Sequence, residues 1–503
     1  MKSFFPLHSF SKYQLQFFSL LSACLITLLP AHGQQAALRT FSNIQGVKFQ
    51  GRLVAVSADK ATLQLANGRN YTTSIASFSP ADQAYIKAWN SNSSSGSMTS
   101  LPAPVKSGVK IDKINALLGL PLFIDGDLWN NPSGQTAKRL RWPRESNTPF
   151  SSSYRGYPEK NYRIAQTRPY SVVLYGDNGK VSSLSVVFAN KGDFFSAAGS
   201  GENHFIKGKA VPDSAAGLRK LMDYDTKIIS EALTKALGPP KRQQFGDGST
   251  RQIVYRWDWS GHAFLLSKVD GEYVSLSIQP VAFADKRGRM KRIPDSVISK
   301  RLQDNIEKRD NGDVVINNIP MVNQGPKGYC VPATAERCMR YLGIPADMYL
   351  LAMAGKTEAG GGTSATVLLE AVGRDIKRKG RTFNIWDSKL KLREIARYID
   401  HGIPVMWGLF STKEFNRTAD SRTMERKNSA GWNQYKAKIK RVSNANKLTV
   451  DPSTSHVVII TGYNKSTGEI AFSDSWGERY KERWITISEA QQVSQDRFYV
   501  VEL

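Results

Sequence analysis

Between residues 91 and 107 the chain reads SNSSSGSMTSLPAPVKS. A stretch this rich in Ser and Pro has too little apolar surface to offset the entropy of ordering it, so it reads as a linker. That feature forces the rest of the chain to fold as separate parts, each around its own core. The 503 residues allow this, since single domains usually hold roughly 100–200 residues. Ten Trp, 19 Tyr and 22 Phe supply several cores and exclude a disordered chain. Three Cys are too few for a disulfide framework or a four-Cys zinc module, and no metal or cofactor is expected.

A net charge of +26 invites a nucleic-acid reading. The start of the chain argues against it. Residues 1–33 carry Lys2 and Lys12, no acidic residue, an apolar run from Phe17 to Leu29, and the small-residue pattern Ala31-His32-Gly33. This is the pattern of a secretory signal peptide cleaved before Gln34. Leu21-Ser22-Ala23-Cys24 resembles a lipoprotein box, so anchoring at Cys24 is the alternative. The expected location is secreted, periplasmic or in the cell envelope. Anionic envelope polymers or a membrane surface then replace nucleic acid as the partner for the charge.

The expected fold is α+β and multidomain. Residues 34–90 read as a small barrel-like module. Val47–Ser57 and Ala61–Leu65 are strand-like, Asn67-Gly68 is a hairpin turn, and Ser79-Pro80-Ala81-Asp82 is a capping box opening a helix with Tyr85, Ile86 and Trp89. The stretch from Arg39-Thr40-Phe41 to Trp89 resembles the Sla-type homology domain, an SH3-like β-barrel; the resemblance implies binding or targeting and no chemistry. Residues 108–285 read as an α+β domain of unknown role. Val172–Leu174 and Val181–Phe188 flank the turn Asp177-Asn178-Gly179, a helix runs through Ile229 and Leu233 to Gly238, and Ile253–Trp259, Ala263–Leu266 and Tyr273–Ile278 form an antiparallel meander. His204 and His262 stand isolated there, as loop or strand-end residues. Residues 286–312 are a basic linker with a helix at 295–308; a processing site in Lys286–Arg292 is the alternative to a solvated linker.

Residues 313–503 carry the chemistry. Gly325, Pro326 and Gly328 make a loop before Cys330, and Pro332 opens a helix bearing Ala335, Cys338, Met339 and Leu342 on one face. Cys330 therefore sits at a helix N-terminus, where the dipole and free N–H groups favour a thiolate. Gln324, six residues upstream, can donate its amide to a developing oxyanion beside the Cys330 N–H. The thiolate needs a base. His401 lies in a helix-end turn, whereas His456 opens the β-branched strand Val457–Tyr463. Counting back across the following hairpin sets Asp474 opposite or diagonal to His456, at roughly 5–8 Å, where it can orient the imidazole. Trp476 can cover that hydrogen bond from water. Asp451 is a weaker second acid. Cys338 lies eight residues from Cys330, about 12 Å along the helix, which is too far for a disulfide; it reads as core.

The order Cys330, His456, Asp474, with Gln324 before the Cys and Asp474-Ser475-Trp476-Gly477 after the His strand, resembles the papain-like cysteine peptidases. Asp in place of the usual Asn, and the loop Gly360-Gly361-Gly362-Thr363-Ser364, are similar to the bacteriocin-processing branch. The resemblance implies a papain-like α+β domain, with Cys330 as nucleophile, His456 as base then acid, Asp474 as orienter and Gln324 as oxyanion donor. It also implies a cleft lined by Gly361, Gly362, Thr363 and Trp476. No P-loop and no transporter spans are read in the chain, so the transporter-coupled role on double-glycine leaders is not expected.

The reading is an exported cysteine peptidase acting on a peptide or protein through a thioester. A cell-wall peptide amidase or transpeptidase with the same triad is one alternative, and a non-catalytic envelope-binding protein another. Residues 374–447 hold 19 Lys/Arg against 7 Asp/Glu, with Trp386, Trp407 and Trp432 at no regular period. They read as a solvated surface or an anionic-envelope contact, with Thr412–Asn446 as a possible rim of the cleft.

Overall fold

Strand Arg39–Ser42 pairs with Lys48–Val56, which pairs with Lys60–Leu65, which pairs with Asn70–Ser74, all antiparallel. Alternation along these strands turns Phe41, Leu53, Ala61 and Leu63 to one face, where Phe78, just before the following helix, and Ile86 within it meet them. The expected barrel is not closed: among the described residues the first and last strands are opposite edges with no ladder between them. Four strands are too few to wrap round, and the helix Pro80–Ser93 seals the apolar face instead. That helix runs three residues into the Ser-rich stretch.

Its cap also departs from the expected box. The Asp82 N–H donates to Ser79 Oγ at 3.3 Å. The Asp82 carboxylate, however, accepts from the Ser42 N–H (2.8 Å) and from Arg39 (3.0 Å), because the Ser79 N–H is already spent on the Ser42 carbonyl.

This computed structural model describes residues 39–56, 59–65, 70–93, 108–196, 204–205, 210–289, 292–428 and 431–503. The signal-type segment with Cys24, the Asn67-Gly68 turn and most of the Ser/Pro-rich linker lie outside them. Residues 1–100 form one unit and 101–503 another. No helix among the described residues is long and apolar enough to cross a membrane.

The second unit contains two large antiparallel sheets. In the first, eight strands follow the order Arg144–Asn147, Ser151–Gly156, Ser171–Asp177, Lys180–Asn190, Tyr273–Pro280, His262–Val269, Gln252–Trp259, Lys241–Phe245. The turn Asn178-Gly179 has φ of 48° and 80°, the left-handed pair a two-residue hairpin requires. Helix Ala215–Leu237 lays Leu218, Leu221, Met222, Ile229 and Leu233 on one face of the sheet. Three of these strands escape a hydrophobicity reading. Ser152 and Ser153 are buried although polar, because their hydroxyls bond Ser133 and Glu145.

The second sheet runs Ile306–Lys308, Asp313–Ile316, Ser455–Asn464, Val405–Phe410, Ser494–Glu502, Thr382–Asp387, with Glu469–Ser473 and Arg483–Thr486 branching from Ser455–Asn464. The expected helix over 295–308 stops at Asp304. Residues 306–308 turn back through Asp310-Asn311-Gly312, with Gly312 at φ 86°, to pair with 313–316. Strand Ser455–Asn464 is buried from His456 onward, as its run of β-branched residues requires. Helices Cys330–Tyr341 and Leu392–Ile399 both pack on it.

Candidate active site

Cys330 is the first residue of helix Cys330–Tyr341 and is half-buried. The helix is fixed against the histidine strand by Thr334 Oγ1, which donates to the Val457 carbonyl at 3.2 Å. Burial pushes the Cys330 thiol up, but its hydrogen bond and charge contact with His456, helped by the Val457 and Val331 backbone, hold it below the ordinary value. Cys338, one helical face away and buried, is pushed up to about 12 by burial alone and stays a core thiol.

His456 is the second residue of its strand, opposite Leu409. Its Nε2–H donates to Asp474 Oδ1 at 2.5 Å, which leaves Nδ1 for the Cys330 thiol. Burial works against an imidazolium here; the Asp474 carboxylate and Cys330 overcome it and raise His456 to about 10. The ladder to Glu469–Ser473 ends with Ile459 opposite Ser473, after a bulge between Ile460 and Gly462. Asp474 lies just past that end and reaches His456 diagonally. Trp476 stacks on the imidazole, ring centroids 4.8 Å apart at 27°, and so shields the pair.

Asp474 is fully buried and uses both oxygens, because Arg483 donates to Oδ2. Burial opposes its charge, while His456 and then Arg483 hold its carboxyl below the ordinary range. Arg483 is braced by Asn416 (2.8 Å) and Asp420 (3.4 Å) of helix Lys413–Asn428. The segment read as a possible cleft rim therefore packs behind Arg483. Arg337, buried in the cysteine helix, donates to the Pro320 carbonyl (2.9 Å) and Ser473 Oγ (2.6 Å), tying the segments on either side.

Gln324 is buried, and its N–H donates to the Ser475 carbonyl at 2.9 Å, so this residue is docked on the Asp474 turn. Its Nε2 gives one hydrogen to the Lys327 carbonyl at 2.9 Å, and the second remains for a ligand. A cavity of about 410 Å³ opens beside it, lined by Gln324 to Tyr329, Gly360 and Gly361 and, from the first sheet's side, Gly192, Phe195 and Ser196. Gly361 lines this cavity. Gly362 and Thr363 shape the loop behind it: the Gly362 carbonyl accepts from the Glu358 N–H, and Thr363 Oγ1 bonds Thr357.

The remaining candidates separate cleanly. His401 is exposed and bonds the Arg397 carbonyl at 2.7 Å. Asp451 caps the turn Pro452–Thr454 and accepts from Ser453, away from His456. His204 is not isolated: it is buried between Asp225 Oδ1 (2.8 Å) and the Tyr170 hydroxyl (3.2 Å). His262 bonds Leu128 N–H and the Trp259 carbonyl, and burial lowers it to about 4. No cluster of His, Cys, Asp or Glu able to hold a metal occurs among the described residues.

The basic stretch is also corrected in part. Arg381, Arg422 and Arg426 are buried on Asp295, Glu489 and the Asp313/Glu469 pair, because each carboxylate comes from a distant segment. Trp407 is core, and Trp386 stacks between Tyr398 and Phe498.

Residues 316–499 match the Peptidase_C39 like family. This part of the chain is a cysteine-type peptidase. Among solved structures, the chain is similar to the peptidase domain of Streptococcus ComA, a bi-functional ABC transporter involved in a quorum sensing pathway (14% identity, 37% of this chain and 98% of that one, TM-score 0.24). It is also similar to xylellain, a cysteine protease from Xylella fastidiosa (9% identity, 42% and 90%, TM-score 0.26). No curated protein matches.

Proposed function

We propose that the protein is an exported cysteine peptidase that hydrolyses peptide bonds through a Cys330–His456–Asp474 triad. The observation that carries this reading is the hydrogen-bonded chain from the Cys330 thiol through His456 to Asp474, with Asp474 buried and its other oxygen held by Arg483. The Cys330 thiolate adds to the scissile carbonyl, and the oxyanion is received by the Cys330 N–H and the second Gln324 Nε2 hydrogen. His456, as imidazolium, gives its proton to the leaving amine, and the C–N bond breaks to leave a thioester on Sγ. Water then adds to the thioester with neutral His456 taking its proton, and expulsion of the thiolate restores the imidazolium–thiolate pair. Asp474 keeps the imidazole in one tautomer and stabilises its charge throughout.

Export rests on the signal-type segment 1–33, and the charge of +26 suits an anionic envelope surface. Side-by-side digestion of an unstructured protein and purified peptidoglycan, with Cys330→Ala as control, tests the reading. Cleavage of the protein by the wild type alone supports it. Cleavage of only the peptidoglycan replaces it with a cell-wall amidase or transpeptidase, and equal products from both proteins overturn the triad.

A further inference from the structure

The segment that carries Gln324 is held largely from outside the family-matched region. The Met321 N–H donates to Ser146 Oγ (3.0 Å), the Asn323 N–H to Glu145 Oε1 (2.7 Å), and the Tyr157 hydroxyl to the Asn323 carbonyl. Lys327, four residues before the helix proper begins its second residue, places Nζ at 2.8 and 3.0 Å from the two oxygens of Asp193, and both side chains are buried. Asp193 is itself fixed: its N–H is capped by Asn190 Oδ1 at 2.9 Å, and the Tyr349 hydroxyl donates to Oδ2 at 3.3 Å. Its neighbour Gly192 lies so close to Tyr329 that a Cβ there would fall 2.5 Å from the ring.

We infer that Asp193 is a positioning residue of the active site: it pins Lys327, and the Lys327 carbonyl in turn pins the Gln324 amide. Residues 108–285 then complete the oxyanion pocket. A buried ion pair is a weak source of net stability, yet separating it strands a charge in the interior, so it fixes geometry strongly. The turn from Gln324 to Tyr329 needs such an anchor, because Gly325 and Gly328 within it leave the backbone free. The inference rests on the reading of Gln324 as oxyanion donor.

Two reactions of the same thiol test it on the full chain. Alkylation by iodoacetamide displaces iodide at a saturated carbon and forms no oxyanion. Acylation by p-nitrophenyl acetate adds the Cys330 thiolate to the carbonyl carbon, passes through an oxyanion, and expels p-nitrophenolate with the electron pair. The variant Asp193→Asn/Lys327→Met removes the pair without stranding a charge; Asp193→Glu keeps the pair but shifts the carboxylate by one methylene.

Loss of an oxyanion donor costs about 100- to 1,000-fold, so loosening one is expected to slow acylation about tenfold. Alkylation stays within about twofold, and neither substitution has further effect in a Gln324→Ala background. Parallel loss of both reactions, unchanged acylation, or the same loss in the Gln324→Ala background overturns the inference. A wild type that acylates no faster than Gln324→Ala overturns instead the reading of Gln324 itself, and the inference with it.

Discussion

Asp474→Asn is a nearly isosteric change that removes one charge at the point where three groups meet. The carboxylate gives one oxygen to His456 at 2.5 Å and the other to Arg483. An amide has a single oxygen. Turned to His456, it presents its NH₂ to the guanidinium, donor against donor. The imidazolium loses its main support at the same time. A rise of His456 from 6.5 to about 10 corresponds to roughly 5 kcal/mol in favour of the charged ring. Without Asp474, the burial that opposes the imidazolium prevails and His456 falls.

The Cys330 thiol depends on that imidazolium, so its own value rises toward the ordinary one. Losing even one pH unit of this coupling lowers the thiolate population on the acid limb about tenfold. The assay is the alkylation rate of Cys330 between pH 4.5 and 10. Buried Cys338, pushed up to about 12, is the internal reference. The expected result is a rate at pH 6 at least tenfold below wild type.

Buried Arg483 is then left with only the half-exposed Asp420, at 3.4 Å, and this partly stranded charge costs up to about 3 kcal/mol of stability. The variant Asp474→Asn/Arg483→Gln removes the stranded charge, and its amide oxygen can accept from the new NH₂. It is expected to recover stability but not the reactivity at pH 6. A wild-type pH profile in both variants would refute the argument that Asp474 governs the thiolate through His456.

Three further outcomes are expected. In the wild type, raised His456 contributes stability that is complete below 6.5 and lost as pH rises through about 10, while lowered Cys330 contributes the opposite slope up to its ordinary value near 9. The two slopes oppose each other below pH 9, whereas Cys330→Ala leaves only the His456 slope, reduced by the part of the rise that Cys330 supplies; its urea-unfolding stability should fall more steeply than that of the wild type from pH 7 to 9, by up to about 2 kcal/mol. Gly328→Ala puts a Cβ 2.1 Å from the Gly361 carbonyl oxygen, a backbone atom that cannot swing aside, so the glycine loop is displaced and peptidase activity should fall more than tenfold. Arg426→Met leaves Glu469 buried without its cation and Asp313 with only Arg309, at 4.0 Å, and should cost about 3–5 kcal/mol in thermal unfolding, with the alkylation rate of Cys330 unchanged.

The residues proposed to react stand at local signals in the sequence. Cys330 follows a Gly/Pro loop and opens a helix, and His456 begins the strongest β-branched run in the chain. A straight count across the hairpin sets Asp474 opposite Ile459, three positions from His456; the bulge at 460–462, which no sequence signal marks, shifts the register by one and brings Asp474 to the diagonal of His456. Arg483 was not legible, since its strand is four residues long and its acceptor is a turn residue past the end of a ladder. The pairs Lys327–Asp193 and Asn323–Glu145 join residues 134 and 178 positions apart, and no periodicity encodes them. The same holds for the basic stretch, where a count of charges gives no sign that Arg422 and Arg426 are buried on distant carboxylates.

In the proposed mechanism, turnover passes through a thioester on Cys330. Acid quench of the full chain during turnover of an unstructured protein, followed by mass mapping of the Cys330 peptide, tests it directly. The expected result is a peptidyl adduct on Cys330 that hydroxylamine removes and that is missing from Cys330→Ala. Product formation at the wild-type rate with no adduct on Cys330, or with the adduct on another residue, would contradict it.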